Sequence, residues 1–272
     1  MNLAVIIPAA GSSRRYVESA LAQGILAPRQ KIDEELGGRP LLQRTVELFT
    51  KHPDVVVVIV AGPADDAAFA EFNTRHGDKL TVMGVKICRG GREHRYQTVA
   101  NALALVPESA THVAVHDAAR PCASPELIER LLMAARAGHG AVIPGLDVPD
   151  TLKRVGEKTV RAEPDDPLAG ILGVDPDKQA KGRLVEQTVD RSRLAAVQTP
   201  QVFEVALLRR AYAQGDLSST DDAQLVERLG EPVVLVPGES TNIKVTRAED
   251  LRLARAILGL RGAEEKPAHM RF

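Results

Sequence analysis

The stretch from Ala4 to Arg15 constrains the fold more than any other part of the chain. Its apolar run, Ala4–Ile7, is typical of a buried parallel strand. The residues that follow are all small: Pro8, Ala9, Ala10, Gly11, Ser12 and Ser13. Small side chains allow a ligand close to the backbone, and the N–H groups of such a loop can converge on phosphate oxygens. The pattern alone leaves a nucleotide phosphate loop and a plain tight turn as alternatives.

Two arginines, Arg14 and Arg15, add positive charge directly after this loop. The loop is not a Walker A loop, which needs a second glycine followed by lysine and serine or threonine. It is not the dinucleotide-binding fingerprint either, because it contains only one glycine. A phosphate loop at this position would therefore belong to another class of nucleotide-binding protein.

Up to Pro144, short apolar runs alternate with stretches of helical spacing. The pattern predicts strands at Asp54–Gly62 and Gly140–Pro144, and helices at Leu41–Phe49 and Pro125–Ala137. This alternation favours an α/β fold with a mostly parallel, right-handed sheet.

Two regions interrupt the alternation. The stretch Tyr16–Gln30 contains Gly24 and Pro28, and we interpret it as a loop or short insert. Beyond Pro144, two extended runs flank a polar segment. We expect a single domain over residues 1–260, with residues 146–191 as an extended β-arm and residues 261–272 as a flexible tail.

Asp117 follows an apolar run that begins near Thr111. In doubly wound sheets, ligands bind beyond the carboxyl ends of the strands, so Asp117 stands where a metal-binding carboxylate is expected. The alternative is that Asp117 caps the turn that follows. We expect His116 to pack beside the strand rather than to bind a ligand.

Composition excludes several classes of function. The net charge is −1, the aromatic content is 3% and tryptophan is absent, so we expect no nucleic-acid partner. No apolar run is long enough to span a bilayer and no export signal is evident, so we expect a cytoplasmic protein. Cys88 and Cys122 are far apart in sequence and are interpreted as ordinary thiols.

The residues at predicted strand ends and in glycine loops are mostly cationic, with Asp117 as the acid among them. This mixture suits phosphates together with a divalent cation. It does not suit acyl transfer, because no serine or cysteine stands in a nucleophile elbow. The cations concerned are Arg14, Arg15, Lys31, Arg120, Lys153, Arg191 and Lys244.

An ordered set of motifs resembles a known family. The motifs are PAAGSSRR, VHDAARP, DTLKR, TVDR, QTPQVF and NIKVT. Together they resemble the 2-C-methyl-D-erythritol 4-phosphate cytidylyltransferases from Leu3 to Leu258. The resemblance implies a Rossmann-like, three-layer nucleotidyltransferase sheet that uses CTP, a polyol phosphate and Mg²⁺. It also implies a homodimer whose arms clasp through residues 146–191.

The resemblance also implies roles for individual residues. Arg15 and Lys31 would be catalytic, stabilising charge on the triphosphate, and Asp117 would bind the metal. Nucleotide binding is expected from residues 8–13 and from Gly91, Thr98 and Asp117. Acceptor binding is expected from Arg120, Thr151, Arg191, Thr199 and Lys244. Selection of cytosine would come from the Ala9–Ala10 backbone and the loop from Gly90 to Thr98.

This chain departs from the family pattern at three places. The stretch between Arg15 and Lys31 is longer than usual, and Lys31 is assigned by its spacing back from Gly37. The segment 156–187 is expanded. Thr241 stands where the family usually has an acid, so a second metal carboxylate is missing at that position.

Other readings of the sequence stay open. A cytidylyltransferase for another acceptor, such as ribitol 5-phosphate, would present the same phosphate site. A non-catalytic nucleotide-binding regulator would also fit, and turnover separates it from an enzyme. A dinucleotide-dependent oxidoreductase is disfavoured by the missing glycines and by the arginines after the first loop.

Overall fold

A computed structural model describes residues 1–161 and 181–260, which divide into two compact units. The first unit comprises Met1–Leu146 and the described part of Val197–Phe272, and the second is Asp147–Ala196. The tail predicted at residues 261–272 and the middle of the predicted arm lie outside the described residues. Among the described residues, no helix is long and apolar enough to cross a lipid bilayer.

The strands and helices alternate over most of the first unit. The strands are β1 Leu3–Pro8, β2 Glu35–Leu36, β3 Arg39–Pro40, β4 Val55–Gly62, β5 Lys86–Arg89, β6 His112–Val115, β7 Ala141–Asp147, β8 Leu152–Arg161, β9 Lys181–Val189, β10 Ala195–Val197, β11 Gln201–Glu204 and β12 Val234–Pro237. The helices are α1 Arg14–Ala22, α2 Leu41–Thr50, α3 Asp66–Phe72, α4 Asp78–Val82, α5 Arg95–Leu103, α6 Pro125–Arg136, α7 Val205–Tyr212, α8 Ala223–Arg228 and α9 Ala248–Ile257.

The main sheet is mostly parallel, as the sequence predicts. Its strands run in the order β7-β11-β6-β1-β4-β5, with β12 paired to β7. Strand β1 pairs in parallel with β4 and β6, and β4 pairs in parallel with β5. Strand β11 is antiparallel to both of its neighbours. The parallel strands at the centre bring their carboxyl ends to one edge of the sheet.

The sheet is covered on both faces, which gives the three-layer arrangement. Successive residues of β1 point to opposite faces, so Val5 and Ile7 join one apolar cluster and Ala4 and Ile6 join another. The first cluster contains side chains of α2 and α6, and the second contains side chains of α5, α7 and α8. Because β1 is buried on both faces, its sequence is a continuous apolar run rather than an alternating one.

The structure corrects one local prediction. The stretch Tyr16–Gln30 is not entirely loop, because α1 continues to Ala22 with Tyr16 and Ala20 buried. Two later helices have defined N-termini: α8 begins at Ala223 with Asp222 as its N-cap. Before α9, Asp250 accepts from the N–H groups of Thr246 and Arg247.

The second unit is a two-stranded ribbon over its described part. Strands β8 and β9 are antiparallel, with Leu152 opposite Val189, and their register shifts between Arg154 and Thr159. Leu184 and Val185 on β9 are largely exposed. The two extended runs predicted from the sequence are thus confirmed, and the arm as a separate dimerisation element stays a prediction.

Candidate active site

The carboxyl ends of β1, β5 and β6 bring the predicted loops together. Ile6 of β1 is in register with Val115 of β6, so the loop after β1 and Asp117 emerge side by side. Gly90, directly after β5, donates its N–H to the Gly62 carbonyl at the end of β4 at 2.8 Å. Ligands bind at this edge in open α/β sheets.

A cleft of about 400 Å³ opens at this edge. Positive side chains outnumber negative ones in its walls, which favours a polyanionic ligand. Its lining comprises Pro8, Ala9, Ala10, Gly11, Ser12, Lys31, Ile32, Gly91, Arg92, Glu93, His94, Arg95, Thr98, Asp117, Ala118, Ala119 and Lys244. Most of the predicted nucleotide-binding residues are therefore brought together, and Ser13 lies at the N-cap of α1.

The glycine loop before α5 requires glycine for steric reasons. A Cβ atom on Gly90 would lie 2.6 Å from the Gly62 carbonyl oxygen, and one on Gly91 would overlap Cβ of Gln97. The N–H of Gly91 donates to Thr98 Oγ1 at 3.0 Å. Thr98 is buried in α5, and this bond fixes the edge of the cleft.

Asp117 is held among cationic side chains. Its Oδ2 lies 2.8 Å from Nζ of Lys244, and its Oδ1 lies 3.7 Å from Nε of Arg95. Burial would raise the pKa of Asp117, but Lys244, Arg95 and Arg120 hold it well below its ordinary value. The carboxylate is therefore ionised at neutral pH and faces the cleft.

Arg95 is a site residue that the sequence reasoning missed. Its guanidinium lines the cleft and donates to Asp222 Oδ2 at 2.7 Å, while it also faces Asp117. Asp222 is buried and also accepts from the Tyr212 hydroxyl at 2.5 Å. The role of Arg95 depends on a partner far along the chain, so its local sequence context gave no signal.

His116 and Thr199 fix the backbone at Asp117. His116 Nε2 lies 2.9 Å from the Arg120 carbonyl oxygen, which can only accept, so Nε2 carries the proton. Burial lowers the pKa of His116 to about 4, so the ring is neutral and Nδ1 accepts from the Thr199 hydroxyl at 3.2 Å. Thr199 Oγ1 in turn accepts from the N–H of Asp117 at 3.0 Å. The Thr199 proton is therefore directed at His116.

Arg120 is buried beneath the cleft rather than exposed in it. Its guanidinium donates to the Asn242 carbonyl at 2.7 Å, and Asn242 donates from Nδ2 to the Thr199 carbonyl at 2.9 Å. This buried network supports the segment that carries Lys244, whose neighbour Val245 donates its N–H to the Ala119 carbonyl at 2.8 Å. Arg120 thus has a structural contact in addition to the acceptor role predicted for it.

Lys31 reaches the cleft from the short 3-10 helix Lys31–Asp33. Its Nζ donates to the Val245 carbonyl at 3.3 Å. Burial and the nearby charges of Lys244 and Arg15 lower its pKa, although Asp117 acts in the opposite direction. Arg15 is exposed in the first turn of α1 and lies outside the cleft lining.

Thr151 and Arg191 belong to the second unit. Both are exposed, and Arg191 donates to the Val148 carbonyl at 2.7 Å and also to the Pro149 carbonyl. Their predicted contact with an acceptor substrate stays a prediction. In residues 1–161 and 181–260, no group of three or more His, Cys, Asp or Glu side chains could hold a metal ion.

A mostly parallel sheet with a cationic cleft of about 400 Å³ at its strand ends defines the chain as a nucleotidyltransferase-like α/β protein. Comparison with known proteins narrows this class. The family model described as IspD, 2-C-methyl-D-erythritol 4-phosphate cytidylyltransferase, matches residues 3–168 and 171–260. The chain belongs to this family of cytidylyltransferases.

Individual relatives agree with this assignment. The chain is 36% identical over 269 residues to the 2-C-methyl-D-erythritol 4-phosphate cytidylyltransferase of Geobacillus kaustophilus, covering 97% of this chain and 100% of the relative. The crystal structure of the Thermus thermophilus enzyme of that name matches with a TM-score of 0.65 and 33% identity, over 96% of this chain and 100% of that one.

Some relatives are longer. The chain is 38% identical over 258 residues to the bifunctional enzyme IspD/IspF of Solidesulfovibrio magneticus, covering 92% of this chain. It spans 56% of that relative's length.

Proposed function

We propose that this chain transfers the cytidylyl group of CTP to 2-C-methyl-D-erythritol 4-phosphate. The products are 4-diphosphocytidyl-2-C-methyl-D-erythritol and pyrophosphate. A phosphate oxygen of the acceptor attacks the α-phosphorus of CTP, and the bond from that phosphorus to the bridging oxygen breaks. The observation that carries the proposal is the cationic cleft around Asp117, in a chain of the cytidylyltransferase family.

The chemistry needs charge neutralisation more than proton transfer. The attacking phosphate is already ionised, so no general base is required, and catalysis depends on positioning and electrostatics. Lys31 and Arg15 stabilise the charge that develops on the triphosphate. Residues 10–15, in the loop and at the start of α1, offer backbone N–H groups to phosphate oxygens. Pro8 has no N–H, and the N–H of Ala9 donates to the Ala61 carbonyl. Gly91, Thr98 and the Ala9–Ala10 backbone bound the space for a pyrimidine.

The residues present fit one divalent cation. Asp117 is ionised, and its Oδ1, which faces Arg95 Nε at 3.7 Å, is the oxygen not paired with Lys244. Mg²⁺ commonly takes one or two carboxylates and completes its shell with phosphates and water. Thr241 is exposed and lies outside the cleft lining, so this position supplies no second carboxylate. When bound, Mg²⁺ would neutralise charge on the triphosphate oxygens.

The arm completes the proposal. We place Thr151 and Arg191 in the acceptor site of a second copy of the chain, with Arg120, Thr199 and Lys244 on the near side. Leu184 and Val185 are 65% and 60% exposed on β9, and an isolated two-stranded ribbon is marginal in water. A homodimer clasped through residues 146–191 would cover such side chains. The cytoplasm is the compartment we propose for the reaction.

A pyrophosphate-release screen tests this function. Each of CTP, UTP, ATP and GTP is incubated with 2-C-methyl-D-erythritol 4-phosphate or ribitol 5-phosphate, with Mg²⁺ or with excess chelator. We expect release with CTP, the methylerythritol phosphate and Mg²⁺, and background release from Asp117→Asn prepared in parallel. Equal turnover with a purine triphosphate would refute the pyrimidine pocket, and faster turnover of ribitol 5-phosphate would reassign the acceptor.

A further inference from the structure

An ionic cluster with a buried centre lies outside the cleft lining, at the other end of the 3-10 helix that begins at Lys31. Its centre is Asp33, whose side chain is only 9% exposed. His76 is 4% exposed, and its Nε2 lies 2.6 Å from Asp33 Oδ1. The guanidinium of Arg75 pairs with Asp33 Oδ2 and with Glu71. Both oxygens of Asp33 are thus engaged by cationic or N–H donors from one neighbouring segment.

Asp33 and Lys31 are the two ends of one short 3-10 helix. The N–H of Asp33 donates to the Gln30 carbonyl at 2.9 Å, and Ile32 between them is 4% exposed in the main apolar core. The bond from Asp33 to Gln30 spans Lys31, so Lys31 lies inside one hydrogen-bonded turn with Asp33. We expect contacts that hold the Asp33 carboxylate to restrain the backbone of Lys31 as well.

The turn has weak anchors on its other side. The Lys31 N–H donates to Ser13 Oγ at 3.3 Å, and Nζ donates to the Val245 carbonyl at the same distance. The described backbone between Ala22 and Lys31 contains no helix or strand. Burial disfavours the charge of the Lys31 ammonium and Lys244 and Arg15 repel it, while Asp117 attracts it. The cleft therefore gives Lys31 only these long hydrogen bonds and charges of both signs.

The segment that carries Arg75 and His76, the partners of Asp33, has an uncommon backbone conformation. Residues Asn73–Gly77 form a π-helical turn between α3 and α4. Such turns are rare and are found frequently at functional sites. The His76 ring packs on Phe72, with ring centroids 5.0 Å apart, which fixes the imidazole that meets Asp33. The wider turn presents Arg75 and His76 together to a single carboxylate.

We infer that Asp33 and His76 are positioning residues for Lys31. Their buried pair holds the 3-10 helix so that the Lys31 ammonium meets the triphosphate in the transition state. The inference rests on the proposed function, in which Lys31 is catalytic. If the two residues act only through Lys31, their substitution should have little effect on kcat once Lys31 has been removed.

A double-mutant cycle with Lys31 is the test. In the full-length protein, Asp33→Asn and His76→Leu should each lower kcat with CTP roughly 10- to 100-fold, since a displacement of about 1 Å can have such an effect. The KM for CTP should change much less than kcat. In a Lys31→Ala background, the same substitutions should change kcat by less than about twofold. Equal losses in both backgrounds, or normal kcat in the single variants, would overturn the inference.

Matched variants separate positioning from folding. His76→Gln keeps an N–H donor toward Asp33 and should retain more kcat than His76→Leu at similar thermal stability. Glu71→Gln removes only the outer pair to Arg75 and should leave kcat unchanged. If Asp33→Asn does not fold, the two His76 variants still test the inference. Equal kcat values in His76→Gln and His76→Leu would contradict a positioning role for His76. Normal kcat in Lys31→Ala would instead refute the catalytic role of Lys31, a separate failure.

Discussion

Single cationic side chains carry the transition-state stabilisation in this account. Arg15→Ala and Lys31→Ala should each lower kcat about a hundredfold or more, on the order of 3 kcal/mol, with a smaller rise in the KM for CTP. Steady-state kinetics over a CTP series measures both parameters. Arg14→Ala is the matched control, because Arg14 is 82% exposed and pairs with Glu18. A near-normal kcat for Lys31→Ala would show that its assignment by spacing is wrong.

His116 makes stability depend on pH. Burial lowers its pKa from 6.5 to about 4, so between these values the unfolded chain binds a proton that the folded chain does not. The free energy of unfolding should therefore fall as the pH is lowered through this window, by on the order of 3 kcal/mol in total. Below the folded pKa this contribution is fully lost, and above 6.5 it is fully retained.

Denaturant titrations at a series of pH values measure this effect. His116→Gln should show a shallower acid limb than the wild type, even if it is less stable at every pH, because the readout is the slope. His139→Gln is the control, since His139 is exposed. Identical slopes for the wild type and His116→Gln would contradict the burial of a neutral imidazole.

At the scale of elements, the glycine loop between β5 and α5 sets the shape of the cleft. An alanine Cβ at Gly91 would overlap Cβ of Gln97, so the loop must move away from Thr98. Gly91→Ala should cost about 1–3 kcal/mol of stability and raise the KM for CTP. Thermal unfolding and CTP kinetics check both effects. Gly215→Ala is the control and should change neither stability nor the KM for CTP, because nothing lies within 4 Å of the added Cβ. An unchanged KM for CTP in Gly91→Ala would show that this loop is not part of the site.

The elements that could be predicted from sequence are those with local signals. The apolar runs of β1 and β4 and the amphipathic spacing of α2 and α6 depend on nearby residues, and the structure confirms them. Gly24 and Pro28 favour a loop over residues 16–30, so the sequence does not predict α1, which ends at Ala22, before both of them.

The candidate site divides in the same way. Asp117 follows a strand end, where the fold rule places ligands, and the structure brings it together with two of the predicted cations, Lys31 and Lys244. The other predicted cations do not line the cleft: Arg14, Arg15, Arg120, Lys153 and Arg191. Arg95 is positioned by its ion pair with Asp222. Lys244 follows the buried Asn242, whose carbonyl accepts a hydrogen bond from Arg120. These contacts join residues far apart in the chain, so the sequence around each residue does not predict them. Likewise, the pairing of His76 with Asp33 follows from a π-helical turn that sequence periodicity does not reveal.

At the scale of the whole molecule, the proposed dimer through the arm, residues 146–191, predicts that each active site contains residues of both subunits. Arg15→Ala and Arg191→Ala should each be inactive alone. If Arg191 serves the neighbouring site, a mixed dimer contains one site with both lesions and one with neither. Random exchange of subunits should then restore roughly a quarter of wild-type activity. No recovery at any mixing ratio, or a strictly monomeric protein in sedimentation, would contradict the shared site.

The central claim is cytidylyl transfer, and ³¹P NMR of one reaction mixture tests it most directly. The mixture contains the protein, CTP, 2-C-methyl-D-erythritol 4-phosphate and Mg²⁺. The account predicts loss of the acceptor phosphomonoester signal, together with matched growth of pyrophosphate and of a diphosphodiester that contains both cytidine and the polyol. A spectrum that shows CTP and acceptor unchanged, or inorganic phosphate and CDP in place of the diphosphodiester, would contradict it.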